Sequence, residues 1–490
     1  MIDMSPMDLP SPVQGTSDAS LDRPLVVDLD GTLIKSDLLV ESLSALLSTA
    51  PLRGPAVLAA LAEGRAALKA RVAQAVTLDL DSLPLNPELM DYLRAERARG
   101  RRIYLATAAH ESQAHAMAAR IGLFDGVFAS DAHTNLKGTA KANALCAAFG
   151  RGGFEYAGDT AADLAVWHAA AAVIVVNAAP AVLRDVTARF PDALVLDRRA
   201  PRGRDYLKAI RVHQWLKNLL IFIPAFTAHR FDAAAGLLCL AAMLSFSLGA
   251  SSVYLLNDLL DLRSDRAHPT KRHRPFAAGR IDLTTGALLC AGTALAAALV
   301  ALLLPWRFLL VLAIYYTLST AYSMFLKRQP IIDVLTLACL YGVRLFAGGV
   351  AIAVTLSPWL LMFSTFFFLC LALVKRCTEL IERQARDSGD PPGRSYRLAD
   401  LPMLQTMATT AGYVSVLVFI LYVNSPAVAA LYGSPETLWL IPLILLFWIS
   451  RVLLVMQRGD MHDDPVLFAA RDTTSLACAV LIGAIVLAGI

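Results

Sequence analysis

The sequence predicts two domains of different class. The first is an N-terminal α/β domain, a Rossmann-type parallel sheet with a helical cap. The second is a C-terminal all-α polytopic membrane domain with about nine transmembrane helices. Three observations carry this reading. At 490 residues the chain is too long for one ordinary core. Its composition, 57% hydrophobic and 17% charged with a mean hydropathy of +0.55, points to membrane spans. The apolar excess is also uneven: residues 1–210 read as a soluble protein, and residues 219–490 as apolar stretches separated by short charged loops. The expected boundaries are a disordered leader over 1–21, an α/β domain over 22–196 with its cap at about 36–90, a linker over 197–210, and the membrane domain over 211–490. The leader has neither the basic nor the apolar region of a signal peptide.

The α/β domain opens with Leu25, Val26 and Val27 running into Asp28, Asp30 and Gly31. An apolar run that ends in carboxylates and a glycine reads as a buried strand leading into an active-site loop. Residues 38–75 have helical Leu/Ala periodicity and form the cap. A helix over 87–99 then leads to a strand over 102–107. Helices over 110–121 and 138–149, a strand over 154–157, a helix over 161–170 and a strand over 172–176 follow. Strands alternating with helices predict a parallel sheet.

In the membrane half, nine apolar segments are expected: 214–228, 233–257, 283–304, 307–325, 331–353, 358–376, 403–424, 435–456 and 473–490. Most approach the ~20 residues that a bilayer span needs, and the first is short. The loops 258–282, 326–330, 375–402 and 457–472 hold nearly all the Lys and Arg of this half, and each follows an even-numbered span. The positive-inside rule therefore puts these loops and the N-terminal domain in the cytoplasm, in a multi-pass protein of the cytoplasmic membrane. The net charge of +4 is spent on this topology, so it is not a nucleic-acid footprint. Seven cysteines form no C-x-x-C pair and read as small core hydrophobes.

Four motifs follow one another in the soluble half. They are Asp28-x-Asp30-Gly31-Thr32, then Thr107 at a strand end, then Lys137 and Lys141, then Gly158-Asp159-Thr160-x-x-Asp163. In this order and placement they resemble the haloacid-dehalogenase-like (HAD) phosphohydrolases over roughly residues 22–190. The resemblance implies that Asp28 attacks phosphorus and Asp30 serves as acid and then base. It implies a Mg²⁺ site built from Asp28, Asp30 (through its backbone carbonyl) and Asp159, with Asp163 in support. Thr107 and a lysine would bind the phosphoryl oxygens. Lys141 fits the family's helix start better than Lys137, and both stay open.

In the membrane half, Asn257-Asp258-x-x-Asp261-x-x-x-Asp265 closes the second span. Spacings of three and four put Asp258, Asp261 and Asp265 on one helical face. Like charges in a row repel, so a cation such as Mg²⁺ explains them, with a diphosphate as its companion. Lys271, Arg272 and Arg274 follow and suit the remaining phosphate charge. Together these features resemble the UbiA superfamily of intramembrane transferases over roughly 205–490, and within it the decaprenyl-phosphate phosphoribosyltransferase branch. Further residues carry that resemblance: Arg211, His213, Gln214, Trp215, Lys217 and Asn218; Tyr322, Ser323, Lys327 and Asp333; Lys375, Arg376 and Glu379; Arg394 and Tyr396; and Arg458, Asp463 and Asp464. It implies substrate contacts from Lys217, Asn257, Tyr322, Lys327, Lys375, Arg376, Glu379 and Arg394. Lys217, Lys327 and Arg344 read equally well as snorkelling anchors. Aromatic prenyltransferases of the superfamily carry a second Asp-rich motif after the sixth span. Here the corresponding loop offers Lys375, Arg376 and Glu379, which suits a phosphate-bearing acceptor or a ribose 5-phosphate.

The expected activity is a Mg²⁺-dependent transfer of phosphoribose from phosphoribosyl pyrophosphate to a polyprenyl phosphate, with one Mg²⁺ in each domain and the HAD domain removing the 5-phosphate. The alternative is a prenyltransferase using a polyprenyl diphosphate donor beside an independent phosphatase. A transporter or lipid-binding module is a third class, disfavoured because its ionisable residues belong near the bilayer midplane. The donor, the lipid length and the oligomeric state are left open.

Overall fold

The computed structural model describes residues 22–50, 53, 57, 59–131, 134–197, 202–268, 270–387, 389–390, 395–461 and 464–490. The expected leader (1–21), part of the expected linker (198–201) and Arg394 lie outside them. The chain divides into two compact units, residues 1–209 with 258–286, and residues 210–257 with 287–490. The segment 258–286, between two apolar helices in sequence, thus belongs to the N-terminal unit.

That unit is built on six strands: β1 Leu25–Val27, β2 Ile103–His110, β3 Gly126–Ser130, β4 Glu155–Gly158, β5 Ala172–Val176 and β6 Leu194–Leu196. Their order is β3-β2-β1-β4-β5-β6, and all neighbours are parallel. Side chains alternate across the sheet. Leu25, Val27, Ile174 and Val176 enter the core on one face, and Val26, Tyr156, Val173 and Val175 enter the core on the other. Burial on both faces explains why β1 and β5 read as unbroken apolar runs. Strands β3 and β6 are short edge strands that the sequence reading passes over. The order reverses at β1, so a crevice opens at the carboxyl ends of β1 and β4, where Asp28 and Asp159 stand.

The cap consists of helices Leu38–Thr49 and Arg65–Ala75. Asp37 caps the first of these by accepting from the backbone N–H groups of Leu39 and Val40. The helix expected over 161–170 is instead a 3-10 turn, Ala161–Asp163, and one α turn, Leu164–Trp167. The Asp163 carboxylate folds back onto Thr160 in a capping box and tightens the chain there.

Among the described residues, six helical stretches are long and apolar enough to cross a membrane: Ala233–Leu260, Leu283–Ala301, Ile332–Ala351, Pro358–Ala385, Leu398–Val423 and Pro435–Gln457. The protein is an integral membrane protein, with six candidate spans where nine were expected. The first expected span is a 3-10 helix, Val212–Phe222, followed by one α turn, Ile223–Thr227. Pro224 has no N–H to continue an α ladder there. The helix Trp306–Met324 forms, but Arg307 and its Tyr, Thr and Ser residues dilute its apolarity. The last helix, Thr473–Gly489, has 17 residues.

Two helices run further than expected. Pro358–Ala385 continues through good helix formers, so Lys375, Arg376 and Glu379 sit on a helix and not in a loop. Ala233–Leu260 takes Asp258 into its last turn. Packing in the second unit relies on small and hydroxyl-bearing residues, as expected where lipid supplies no hydrophobic drive between helices. The Ser245 hydroxyl donates to the Ala297 carbonyl at 2.8 Å, and that of Ser252 to the Cys290 carbonyl at 2.8 Å. Leu237, Leu240 and Leu244 instead form an exposed stripe, fit to face lipid.

At Gly348 a side chain has no room: an added Cβ would lie 2.1 Å from the Ile221 carbonyl oxygen. Gly348→Ala is expected to destabilise the detergent-solubilised protein by about 1–3 kcal/mol. Gly342→Ala, whose Cβ meets nothing within 4 Å, serves as the control. Equal thermal midpoints for the two variants would refute this packing account.

Two candidate active sites

The first site lies at the carboxyl ends of β1 and β4. Asp28 follows β1 directly and is buried, with its backbone N–H donating to Ala157 at 2.9 Å. Its carboxylate faces the Lys141 ammonium at 2.9 Å. Lys141 also donates to the Tyr156 hydroxyl at 2.8 Å, and that hydroxyl donates to Asp163 at 2.9 Å. Asp163 in turn accepts from the Thr160 N–H at 3.1 Å and the Thr160 hydroxyl at 3.0 Å. Lys141 is therefore built into the centre, whereas Lys137 is exposed and lines the cavity. Asp30 accepts from the Leu38 N–H at 2.8 Å, which ties it to the start of the cap helix. Thr107 is fully buried, and its hydroxyl accepts from the Ala109 N–H at 3.0 Å. The cavity wall next to it is formed by Ala108, Ala109 and His110.

Gly31 is required by two independent features. Its φ of +77° favours glycine, and a Cβ there would lie 2.1 Å from an Asp159 oxygen. The site also contains residues that sequence reasoning missed. Lys69, on the cap helix Arg65–Ala75, lines the cavity and donates to the Ala108 carbonyl at 2.5 Å. Nothing in its local sequence marks it, since only the fold brings residue 69 to β2. Tyr156 is hidden in the same way inside an ordinary strand.

This arrangement is short of positive charge. Burial pushes the Asp28 carboxyl up to about 6, against the pull of Lys141. Burial, followed by the neighbouring charges of Asp163 and Asp28, raises Asp159 well above the usual carboxylate range. One oxygen each from Asp28, Asp159 and Asp163 lie within 4.8 Å of one another. A divalent cation held by hard oxygen ligands fits this donor set and its missing charge. Asp30 stands outside the trio.

The second site is a cavity of about 210 Å³ in the second unit. Among its lining residues are Lys217, Arg344, Lys375 and Arg376, with Asn257 and Tyr322, and none of the described lining residues is a carboxylate. The anions that hold Lys217, Lys375 and Arg376 stand behind the wall. Asp464 accepts from Lys217 at 2.8 Å, from Lys375 at 2.7 Å and from the Tyr341 hydroxyl at 3.1 Å. Asp333, fully buried, pairs with the Arg376 guanidinium and accepts from Tyr322 at 2.9 Å. Arg376 also reaches Glu379 at 2.6 Å. Arg344 donates to Asn218 at 2.8 Å, and Asn218 donates to Ser247 at 2.9 Å. Lys217 and Arg344 are thus buried and paired, which removes the snorkelling reading. Lys327 is half-buried and does not line the cavity.

The aspartate row departs from its expected shape. The helix ends at Leu260 and a new one, Leu262–Ala267, begins after Asp261, so the three carboxylates do not share one continuous helical face. Asp has low helix propensity in a helix interior, and the break falls at Asp261. Asp258 and Asp265 still converge on one cation, the Arg274 guanidinium, at 3.1 and 2.6 Å. Two buried carboxylates aimed at one positive centre also suit a divalent ion. Lys271 and Arg272 are exposed.

The pattern of the UbiA prenyltransferase family matches residues 219–474, more than half of the chain. This chain belongs to that family. The pattern of the haloacid dehalogenase-like hydrolases matches residues 25–168. The protein is therefore an enzyme that joins a UbiA-type transferase to a HAD-type phosphatase. Among its relatives, the Uncharacterized protein y4nM of Sinorhizobium fredii is 37% identical over 94% of this chain and 89% of its own length. Nodulation protein NoeC of Azorhizobium caulinodans is 33% identical over 56% of this chain and 89% of its own. Decaprenyl-phosphate phosphoribosyltransferase of Mycolicibacterium smegmatis is 37% identical, over 36% of this chain and 56% of its own length.

Two outcomes are expected from these geometries. Mg²⁺ at about 100 times its Kd should stabilise the HAD unit by ~2.7 kcal/mol in thermal unfolding. Asp159→Asn should lose most of that shift, and an undiminished shift in the variant would remove Asp159 from the metal site. In the UbiA unit, Asp464→Asn leaves the buried Lys217 and the half-buried Lys375 without the carboxylate they share. It is expected to cost about 3 kcal/mol of stability, with partial recovery in Asp464→Glu.

Proposed function

We propose that the UbiA domain transfers phosphoribose from phosphoribosyl pyrophosphate to a polyprenyl phosphate, and that the HAD domain then removes the 5-phosphate. The observation that carries this reading is the cavity lined by Lys217, Arg344, Lys375 and Arg376 without a carboxylate. Four cations exceed what a lone diphosphate beside an aromatic acceptor calls for, and they suit a ribose 5-phosphate or an acceptor that carries its own phosphate. The identity to decaprenyl-phosphate phosphoribosyltransferases of mycobacteria, 37–38%, supports the same choice.

In the transfer, a phosphate oxygen of the lipid bonds to the anomeric carbon as the carbon–oxygen bond to pyrophosphate breaks. Lys217 and Lys375, held by Asp464, bind phosphate oxygens, and Arg344 and Arg376 add fixed positive charge. Asp258, Asp261 and Asp265 would hold a Mg²⁺ that neutralises the departing pyrophosphate. In the second reaction, a carboxylate oxygen of Asp28 bonds to phosphorus and forms an aspartyl-phosphate, while Asp30 gives its proton to the leaving 5-hydroxyl. Asp30 then takes a proton from the water that releases inorganic phosphate and restores Asp28. Lys141 and Lys137 face the phosphoryl oxygens, and Thr107 shapes the strand end beside them. Asp28, Asp159 and Asp163, with the Asp30 carbonyl, would hold the Mg²⁺ of this domain. The basic loops support a cytoplasmic location for both reactions, in a protein of the cytoplasmic membrane.

Labelled phosphoribosyl pyrophosphate and polyprenyl phosphate, incubated with purified protein, are expected to give a labelled lipid. Mass spectrometry should find that lipid one phosphate heavier with Asp28→Asn than with wild type. No labelled lipid, together with consumption of a prenyl diphosphate, would establish the prenyltransferase instead. Identical products from wild type and variant would separate the phosphatase from this pathway.

A further inference from the structure

The segment 258–286 lies in sequence between two apolar helices of the UbiA domain, yet it packs into the HAD unit. Its main anchor is Arg266. The guanidinium grips Glu41 through its two terminal nitrogens, at 2.5 and 3.1 Å, with the two side chains only 7% and 5% exposed. Glu41 sits in the first turn of the cap helix Leu38–Thr49 and also accepts from the Ser36 hydroxyl. The Ser36 carbonyl accepts from the Gly31 N–H at 2.9 Å. The first N–H of the same helix, that of Leu38, donates to Asp30 at 2.8 Å. One clamp therefore holds both attachments of the loop that carries Asp30. The segment also reaches the cavity itself, where Gly279, Asp282, Leu283 and Thr284 line the wall beside Asp30 and Lys69. Gly279, at φ +65°, approaches Lys35 so closely that a Cβ would lie 2.7 Å from the Lys35 Cβ.

We propose that Arg266 is a positioning residue of the phosphatase, acting through Glu41 to aim the Asp30 carboxyl at the leaving oxygen. A bidentate, buried arginine–carboxylate pair has one preferred geometry, which suits it to this task better than a mobile lysine. The proposal rests on Asp30 being the acid, and that dependence supplies its test. Formation of the aspartyl-phosphate breaks the P–O bond to the substrate's alcohol and delivers the Asp30 proton to the oxygen released. An alkyl alkoxide cannot leave without that proton, whereas p-nitrophenolate can.

The full-length protein, purified with Mg²⁺, is assayed for kcat/KM on ribose 5-phosphate and on p-nitrophenyl phosphate. General acid catalysis contributes on the order of 10²–10⁴-fold, and a misaimed acid forfeits part of it. Arg266→Ala is therefore expected to lose about tenfold or more on ribose 5-phosphate and less than about threefold on the nitrophenyl ester. Arg266→Lys should restore part of the difference. The pair variant Glu41→Gln with Arg266→Gln leaves no unmatched buried charge, and it should show the same split if the single variant folds poorly. Equal losses on both substrates, or none, in a folded variant would overturn the proposal. Asp30→Asn separates the two claims. A split in Asp30→Asn without one in the Arg266 variants defeats the positioning role alone, and no split in Asp30→Asn defeats the acid assignment and the proposal with it.

Discussion

A charge taken out of water needs a partner, and that requirement organises both units of this chain. In the UbiA unit, Asp464 stands between Lys217 and Lys375, and Asp333 is fully buried against Arg376. These anions compensate three of the cavity's four cations, and the fourth, Arg344, is held by the Asn218 side chain. In the HAD unit the balance runs the other way. Asp28, Asp159 and Asp163 gather around a single lysine, and Tyr156 is drawn in to link that lysine to Asp163. One site gathers carboxylates around few cations, and the other turns cations toward a cavity whose described lining has no carboxylate.

The backbone serves these pairings. Gly31 is a glycine so that the Asp159 carboxylate can come close to the loop after β1. Ser245 and Ser252 of helix Ala233–Leu260 donate to carbonyls of helix Leu283–Ala301 and allow close approach, while Leu237, Leu240 and Leu244 stay exposed. Polar clasps within and apolar side chains without are what a low-dielectric solvent selects.

The sequence made some of this legible and hid the rest, for physical reasons. Asp28, Asp30, Asp159 and Asp163 could be read because each follows an apolar strand or opens a turn, so that a local pattern marks it. The parallel sheet was equally plain from alternation, apart from β3 and β6, whose short edge runs resemble any apolar stretch. Lys69 and Tyr156 were not legible, since their roles arise from tertiary proximity alone. Asp333 and Asp464 appeared only among residues of resemblance, and their work as counter-ions needed the packed helices. The aspartate row misled in one respect. Spacings of three and four promised one helical face, but the chain breaks at Asp261 and lets Arg274 draw Asp258 and Asp265 together instead.

The discontinuity of the N-terminal unit has a consequence for how such a chain could be divided. Residues 258–286 complete the wall of the phosphatase cavity and return to it only after a long apolar helix has been made. During synthesis on the ribosome, the phosphatase therefore cannot finish its fold when residue 209 emerges. It must wait until the first helices of the membrane half have left the tunnel. A gene split near residue 210 would yield an N-terminal product lacking part of its own wall, so fission of the two activities is harder to reach than their order along the chain suggests.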